Sequence, residues 1–332
     1  MLRVLRQYID HDDQTTPHDA VSTLRTPEPC GEAAGTLLNF EARTPTVLEL
    51  APVRPAELGP RSAAFVQRQR LALSDRSRDR DQDIDLLGLT SVSPATFNES
   101  QKRIAERPSE LPFVYVVTPN AHHMVMLSRE ESALRTAYGA AWLRLCDSQI
   151  LRAIAWVVSG ARLNLVTGSD LTLSLLQNVL QPNDRVTIIG GTPELMSALN
   201  DQFGLRNITQ HIPPMGYSAH PDEVQQCVDF VIAHPARFTF VITGAPQSEL
   251  LALRIAQAGG ATGIGLCVGS ALDFATGRAL RAPKLIRACG LEWLFRMASN
   301  PKRLIRRYVI ESPPVFLLAA RWWVSLRRHS RS

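Results

Sequence analysis

The chain has 332 residues, is 45% hydrophobic and carries a formal net charge of +5; that suits a sizeable α/β core with extra pieces rather than two full domains. Its five cysteines, Cys30, Cys146, Cys227, Cys267 and Cys289, are odd in number and include no Cys-x-x-Cys. This argues against a disulfide scaffold or a zinc site and for a reducing compartment. The N-terminus lacks the apolar stretch of a signal peptide, and no window reaches the ~18 uncharged apolar residues of a spanning helix, so a soluble or peripheral, cytoplasmic protein is expected.

Residues 1–83 read as a disordered N-terminal extension. Pro17, Pro27, Pro29, Pro45, Pro52, Pro55 and Pro60 recur without helical or strand periodicity, and SDRSRDRDQD (74–83) has almost no carbon to bury, so ordering it would cost more entropy than it returns. The Asp-x-Asp spacings at Asp79/Asp81, Asp81/Asp83 and Asp83/Asp85 are of a kind that can hold a metal–diphosphate. Here they read as a solvated, alternating charge run outside the core.

From residue 84 to 277 apolar runs alternate with helical stretches. Strands are expected at FVYVVT (113–118), WLRLC (142–146), LNLV (163–166), RVTIIG (185–190), FTFVIT (238–243) and GIGLCV (263–268), with a helix over 193–203 among the intervening stretches. Apolar runs separated by helices predict an α/β fold: a Rossmann-like, mostly parallel sheet with helices on both faces. Each run ends in small or polar residues, such as Pro119-Asn120, Asp147, Thr167-Gly168-Ser169-Asp170, Gly190-Gly191 and Gly244-Ala245-Pro246. Ligands of open α/β sheets sit beyond the carboxyl ends of the strands.

Residues 278–332 form a basic appendage. They hold 13 Lys and Arg against 2 acidic residues, a local balance of +11 that leaves −6 for the rest. A polyanionic partner follows: nucleic acid, anionic lipid or a diphosphate. Asn300-Pro301 starts a helix. At 100° per residue it puts Lys302, Arg303, Arg306 and Arg307 on one side and Leu304, Ile305, Tyr308 and Val309 on the other. The final PPVFLLAARWWVSLRRHSRS suits either a membrane interface or a C-terminal helix packed on the body.

The order and spacing of IDLLGL (84–89), VVTPN (116–120), VTGSD (166–170), IIGGTPE (188–194), GAP-x-x-E (244–249), ALDFATG (271–277), RAP (281–283), GLEWLFR (290–296) and P-x-R-x-x-R-R-Y (301–308) resemble the WecG/TagA/CpsF family. The resemblance implies an inverting, metal-independent glycosyltransferase with no cofactor. A UDP-sugar is its donor, and a polyprenyl-diphosphate-linked sugar on the inner face of the cell membrane is its acceptor. It also implies an appendage that reaches the membrane and completes the site. A homo-oligomer is compatible with this reading, and nucleic acid is not expected as a partner. Other readings of the residues are a Rossmann-type nucleotide enzyme of another class, which lacks its Gly-x-Gly-x-x-Gly here, and a non-enzymatic binder of anionic membrane or nucleic acid.

By the resemblance, Asp147 stands as the base that takes the acceptor's proton, with Thr118 and Asn120 as its polar neighbours and Arg296, Arg303 and Arg306 as the appendage arginines. Asp147 is flanked as Cys146-Asp147-Ser148 where the family has Pro-Asp-Gly; its plainer reading is a helix cap. Gly191, Gly244, Gln247 and Asp273 are the expected nucleotide contacts, Asp273 reading equally as the cap of a turn. Ser248 occupies the place of the family's nucleotide-contacting glutamine, so Gln247 is its candidate replacement. Leu165 stands where the family has an arginine.

Overall fold

The computed structural model describes residues 83–129, 133–283, 285–286, 291–299 and 301–329, without the side chains of Lys302, Arg303 and His329. The expected extension before Asp83, the acidic spacing at Asp79 and Asp81, and the cap Asn300 lie outside the described residues.

A hairpin of β1 (Ile84–Leu86) and β2 (Thr90–Val92) comes first, turning through Leu87 and Gly88 at φ 61° and 65°. Helix α1 (Phe97–Glu106) follows, opened by a reciprocal capping box between Thr96 and Glu99. The remaining strands are β3 (Val114–Val117), β4 (Leu143–Arg144), β5 (Arg185–Gly190), β6 (Asn207–His211), β7 (Phe238–Ile242) and β8 (Ile264–Cys267). They make one sheet in the order β4-β3-β8-β7-β5-β6, and every pairing in it is parallel. Between them run α2 (Ala121–Arg129), α3 (Ala133–Ala140), α4 (Gln149–Ser159), α5 (Gly168–Asn178), α6 (Leu195–Phe203), α7 (Pro221–Ala233), α8 (Gln247–Ala258) and α9 (Ala271–Ala275).

Strand alternation builds two cores, one on each face. Tyr115, Val117, Ile189, Val241 and Cys267 point into one; Val114, Val116, Ile188, Phe238, Phe240 and Leu266 point into the other. A strand buried on both sides reads as a continuous apolar run, which is why β3, β5, β7 and β8 fall where the sequence puts them. Two elements differ. LNLV is no strand: within it, Val166 N–H donates to the Cys146 carbonyl, and the Asn164 amide reaches the Pro94 carbonyl. In its place, β6 (NITQH) closes the far edge against β5.

The expectation that the acidic run lies wholly outside the core fails at Asp83. Its carboxylate pairs with the Arg144 guanidinium, with side chains 9% and 4% exposed. A buried guanidinium needs such a partner, and Arg144 also donates to the Ser91, Tyr138 and Ala141 carbonyls.

The C-terminal segment folds as α10 (Glu292–Ser299), α11 (Pro301–Ile305), a π-helical stretch (Arg306–Glu311) and α12 (Pro314–His329). Helix α12 lies on the body. Val315, Ala319 and Trp322 enter the same core as Tyr115 and Val117, and the β1–β2 turn comes up to the Trp322 ring at Gly88. Phe316, Leu317 and Trp323 remain exposed. The reading as a C-terminal helix packed on the body holds, and the outer side of that helix keeps apolar side chains in the open.

Candidate active site

The carboxyl ends of β3 and β4 open into a cavity of about 530 Å³. Asn120 lies just past β3, and its Oδ1 accepts from the His122 and His123 amides at 3.1 and 3.3 Å, starting α2. Asp147 lies past β4, its backbone N–H held by the Pro119 carbonyl at 3.0 Å. Ser148 caps α4 by accepting from Leu151 N–H, so the helix cap is the neighbour of Asp147, leaving the Asp147 side chain to line the cavity. Thr167 caps α5 from the third side and holds one Asp170 oxygen at 2.7 Å, while Arg281 holds the other, also at 2.7 Å. Two helix N-termini, those of α4 and α5, thus face the same space with their partial positive charge.

The outer wall comes from the C-terminal segment: Glu292, Trp293 and Arg296 from α10, Arg307 and Tyr308 from the π-helical stretch, and Val315 and Phe316 from α12. Arg296 is fixed on two sides. Its Nε donates to Glu292 Oε1 at 3.0 Å, and its guanidinium lies 4.6 Å over the Phe274 ring.

Burial pushes the Asp147 carboxyl up to about 7; nearby Arg296 pulls it back and Glu292 adds to the rise. A carboxylate so placed is half ionised near neutral pH and can take a proton from a bound hydroxyl. His122 on the same wall is pushed down to about 4 by burial, with Arg307 adding to it, so it is neutral at pH 7. Beneath the site Glu249 is buried, and this raises its carboxyl to about 7; its Oε2 has no hydrogen-bond partner among the described residues.

The site residues expected from the sequence divide into three groups. Asn120, Asp147 and Arg296 meet in the cavity. Thr118 is buried below it, its hydroxyl 3.4 Å from the Cys267 carbonyl. Arg306 is turned out, 79% exposed and 3.0 Å from Glu311, and Arg303 sits on α11 with its side chain undescribed. Gly191, Gly244, Gln247 and Asp273 gather instead at the ends of β5, β7 and β8, outside the cavity lining. There Gly244, at φ 88°, has no atom within 4 Å of where a Cβ would stand. Arg278 reaches both the Thr192 hydroxyl and Asp273. Ser248 is turned inward, 3.3 Å from the Thr243 hydroxyl, whereas Gln247 is half-exposed. Arg307, Tyr308 and His122 are cavity residues that the sequence reading assigned no part in the site. The ridge of arginines pointed to Arg307, but even helical counting could not separate it from Arg306.

A family model described as "Glycosyl transferase WecG/TagA/CpsF family" matches residues 84–329. The match takes in the sheet, the cavity and all of α12.

Proposed function

The chain belongs to the WecG/TagA/CpsF family, glycosyltransferases of polysaccharide biosynthesis, and on that premise we propose that it moves a hexose of the N-acetylmannosamine, N-acetylmannosaminuronic acid or glucose type, with inversion, from a UDP-sugar to a polyprenyl-diphosphate-linked sugar. The family suggests the sugar-nucleotide donor and the lipid-linked acceptor; the sugar types and the inner membrane face as the place of work belong to the proposal. Among the described residues no helix is long and apolar enough to cross a membrane.

The observation that carries the reading is Asp147 in the cavity, with its carboxyl raised to about 7 and with Arg296 and Arg307 lining the same cavity. In the proposed step the acceptor hydroxyl gives its proton to Asp147. Its oxygen forms the new bond to the anomeric carbon, the bond from that carbon to the diphosphate oxygen breaks, and the electron pair leaves on UDP. Charge then builds on the diphosphate, and preorganised cations stabilise it. Arg296 and Arg307, which line the cavity, are the cations assigned to this in the proposal, with Arg303 and Arg306 next to Arg307 in the chain. Gly191, Gly244, Gln247 and Asp273 form the nucleotide side, where the open space at Gly244 lets a phosphate approach the backbone.

The test is UDP release from a panel of UDP-hexoses with a polyprenyl-diphosphate-sugar acceptor, run with and without EDTA. Wild-type turnover is expected to survive chelation and to rise with pH through about 7 as Asp147 ionises. Asp147→Asn is expected to lose at least ~100-fold in turnover while still binding UDP. Turnover of Asp147→Asn within a few-fold of wild type would remove this residue from the step.

A further inference from the structure

Helices α4 and α12 both begin at the cavity: Ser148, Gln149 and Ile150 line it at the start of one, Val315 and Phe316 at the start of the other. The two helices pack against each other. Each gives one side to the core, through Leu151, Ile154 and Ala155 on α4 and Val315, Ala319 and Trp322 on α12. The opposite sides are not the polar faces of solvated helices. Trp156 and Val157 of α4 are 62% and 70% exposed, and Phe316 and Leu317 of α12 are 58% and 67% exposed. A lone exposed apolar residue is ordinary, but a large pair on a body helix beside a second helix of the same character marks a contact surface.

Charge selects the occupant. Residues 149–159 and 312–332 contain no Asp or Glu, and they supply Arg152, Arg321, Arg327, Arg328 and Arg331. The Arg327 guanidinium lies 3.7 Å over the Trp323 ring. Tryptophan and aliphatic side chains flanked by arginines fit the headgroup region of an anionic bilayer.

We infer that Trp156 and Val157, on the body of the molecule, dock into an anionic lipid bilayer together with the outer side of α12, so that the cavity mouth at Phe316 opens at the headgroups. The inference rests on the proposed lipid-linked acceptor for its purpose, and its test does not.

Full-length protein and the double substitution Trp156→Ser/Val157→Ser are compared by co-sedimentation with phosphatidylglycerol–phosphatidylcholine vesicles. Loss of two inserted apolar side chains is expected to weaken partitioning at least about tenfold. UDP release with a soluble acceptor analogue and the melting temperature are expected to stay unchanged. Brominated acyl chains are expected to quench wild-type tryptophan fluorescence more than that of Trp156→Phe. Unchanged partitioning and quenching overturn the inference. So does a double variant that binds vesicles normally but shifts from dimer to monomer in the ultracentrifuge, because the surface then meets a second copy of the chain. Absence of UDP release by the wild type would refute the proposed function and leave the vesicle result standing.

Discussion

Asp147 and Glu249 are both carboxyls raised to about 7 by burial, yet only one opens into the cavity. Asp147 faces a space where a hydroxyl can reach it; Glu249 is 2% exposed, and a backbone hydrogen bond, followed by Arg307, brings its raised carboxyl only part of the way back down. Glu249 therefore bears on stability first. The folded chain holds this proton more tightly than the unfolded chain does. The stability tied to it is full below the ordinary value of 4.5 and is lost as pH rises through about 7. Glu249→Gln keeps the shape and removes the buried ionisation. It is expected to raise the melting temperature at about pH 8 by a few degrees and to flatten its fall between about pH 5 and 8, as followed by thermal scans across pH. A lower melting temperature at pH 8 would show that the ionised carboxylate is a stabilising partner of Arg307. At this scale the place of Asp147 at the end of an apolar run was legible in the sequence, and its part as a base came from the resemblance. The surroundings that tune it were not legible, because two of its charge partners, Arg296 and Glu292, come from a segment distant in sequence.

Among the elements, the central strands announced themselves and the edges did not. Phe238–Ile242 is apolar at four of five positions, because both its faces are covered. NITQH, with one strand neighbour and mostly half-buried side chains, carries no such run. LNLV shows the opposite error, since apolar residues that fill a core need not pair as a strand. The C-terminal segment was misread in phase. Counting at 100° per residue groups Arg306 with Arg307, but the chain widens to π-helical winding over Arg306–Glu311, and Ser312 N–H reaches back five residues to the Arg307 carbonyl at 2.9 Å. Such one-turn insertions re-aim side chains. Here Arg307 and Tyr308 line the cavity, while Arg306 extends to Glu311. Arg307→Ala is therefore expected to lower turnover by at least ~100-fold, the scale for removing one stabiliser of transition-state charge, and Arg306→Ala only a few-fold, both read by UDP release at saturating donor. The reverse ranking would mean that the segment rewinds when substrates bind.

For the molecule as a whole, the two ends of the chain are not equivalent. The basic tail looks detachable in sequence, since its charge and its tryptophans set it apart, but Val315, Ala319 and Trp322 are 1%, 7% and 6% exposed and fill the core beside β3. Replacing one buried tryptophan by alanine typically costs about 3–5 kcal/mol, against a total stability of about 5–15 kcal/mol for a domain. Removing residues 312–332 is thus expected to lower the melting temperature steeply and to break open the cavity wall at Val315 and Phe316. Loss of activity in that truncation would say nothing about membranes. At the other end, no apolar periodicity precedes Asp83, and the family match begins at residue 84. Deleting residues 1–80 is expected to leave the melting temperature and UDP release unchanged. Asp83 lies just beyond that cut, and it neutralises Arg144, whose side chain is 4% exposed. Breaking such a pair strands a buried guanidinium, at a cost of about 3–5 kcal/mol, so Asp83→Ala is expected to destabilise by about that much while the far larger deletion does not. Chemical denaturation of the three proteins checks the ordering. If Asp83→Ala unfolds at the same denaturant concentration as wild type, water serves Arg144 as well as the carboxylate does, and the body of this enzyme begins only at β1.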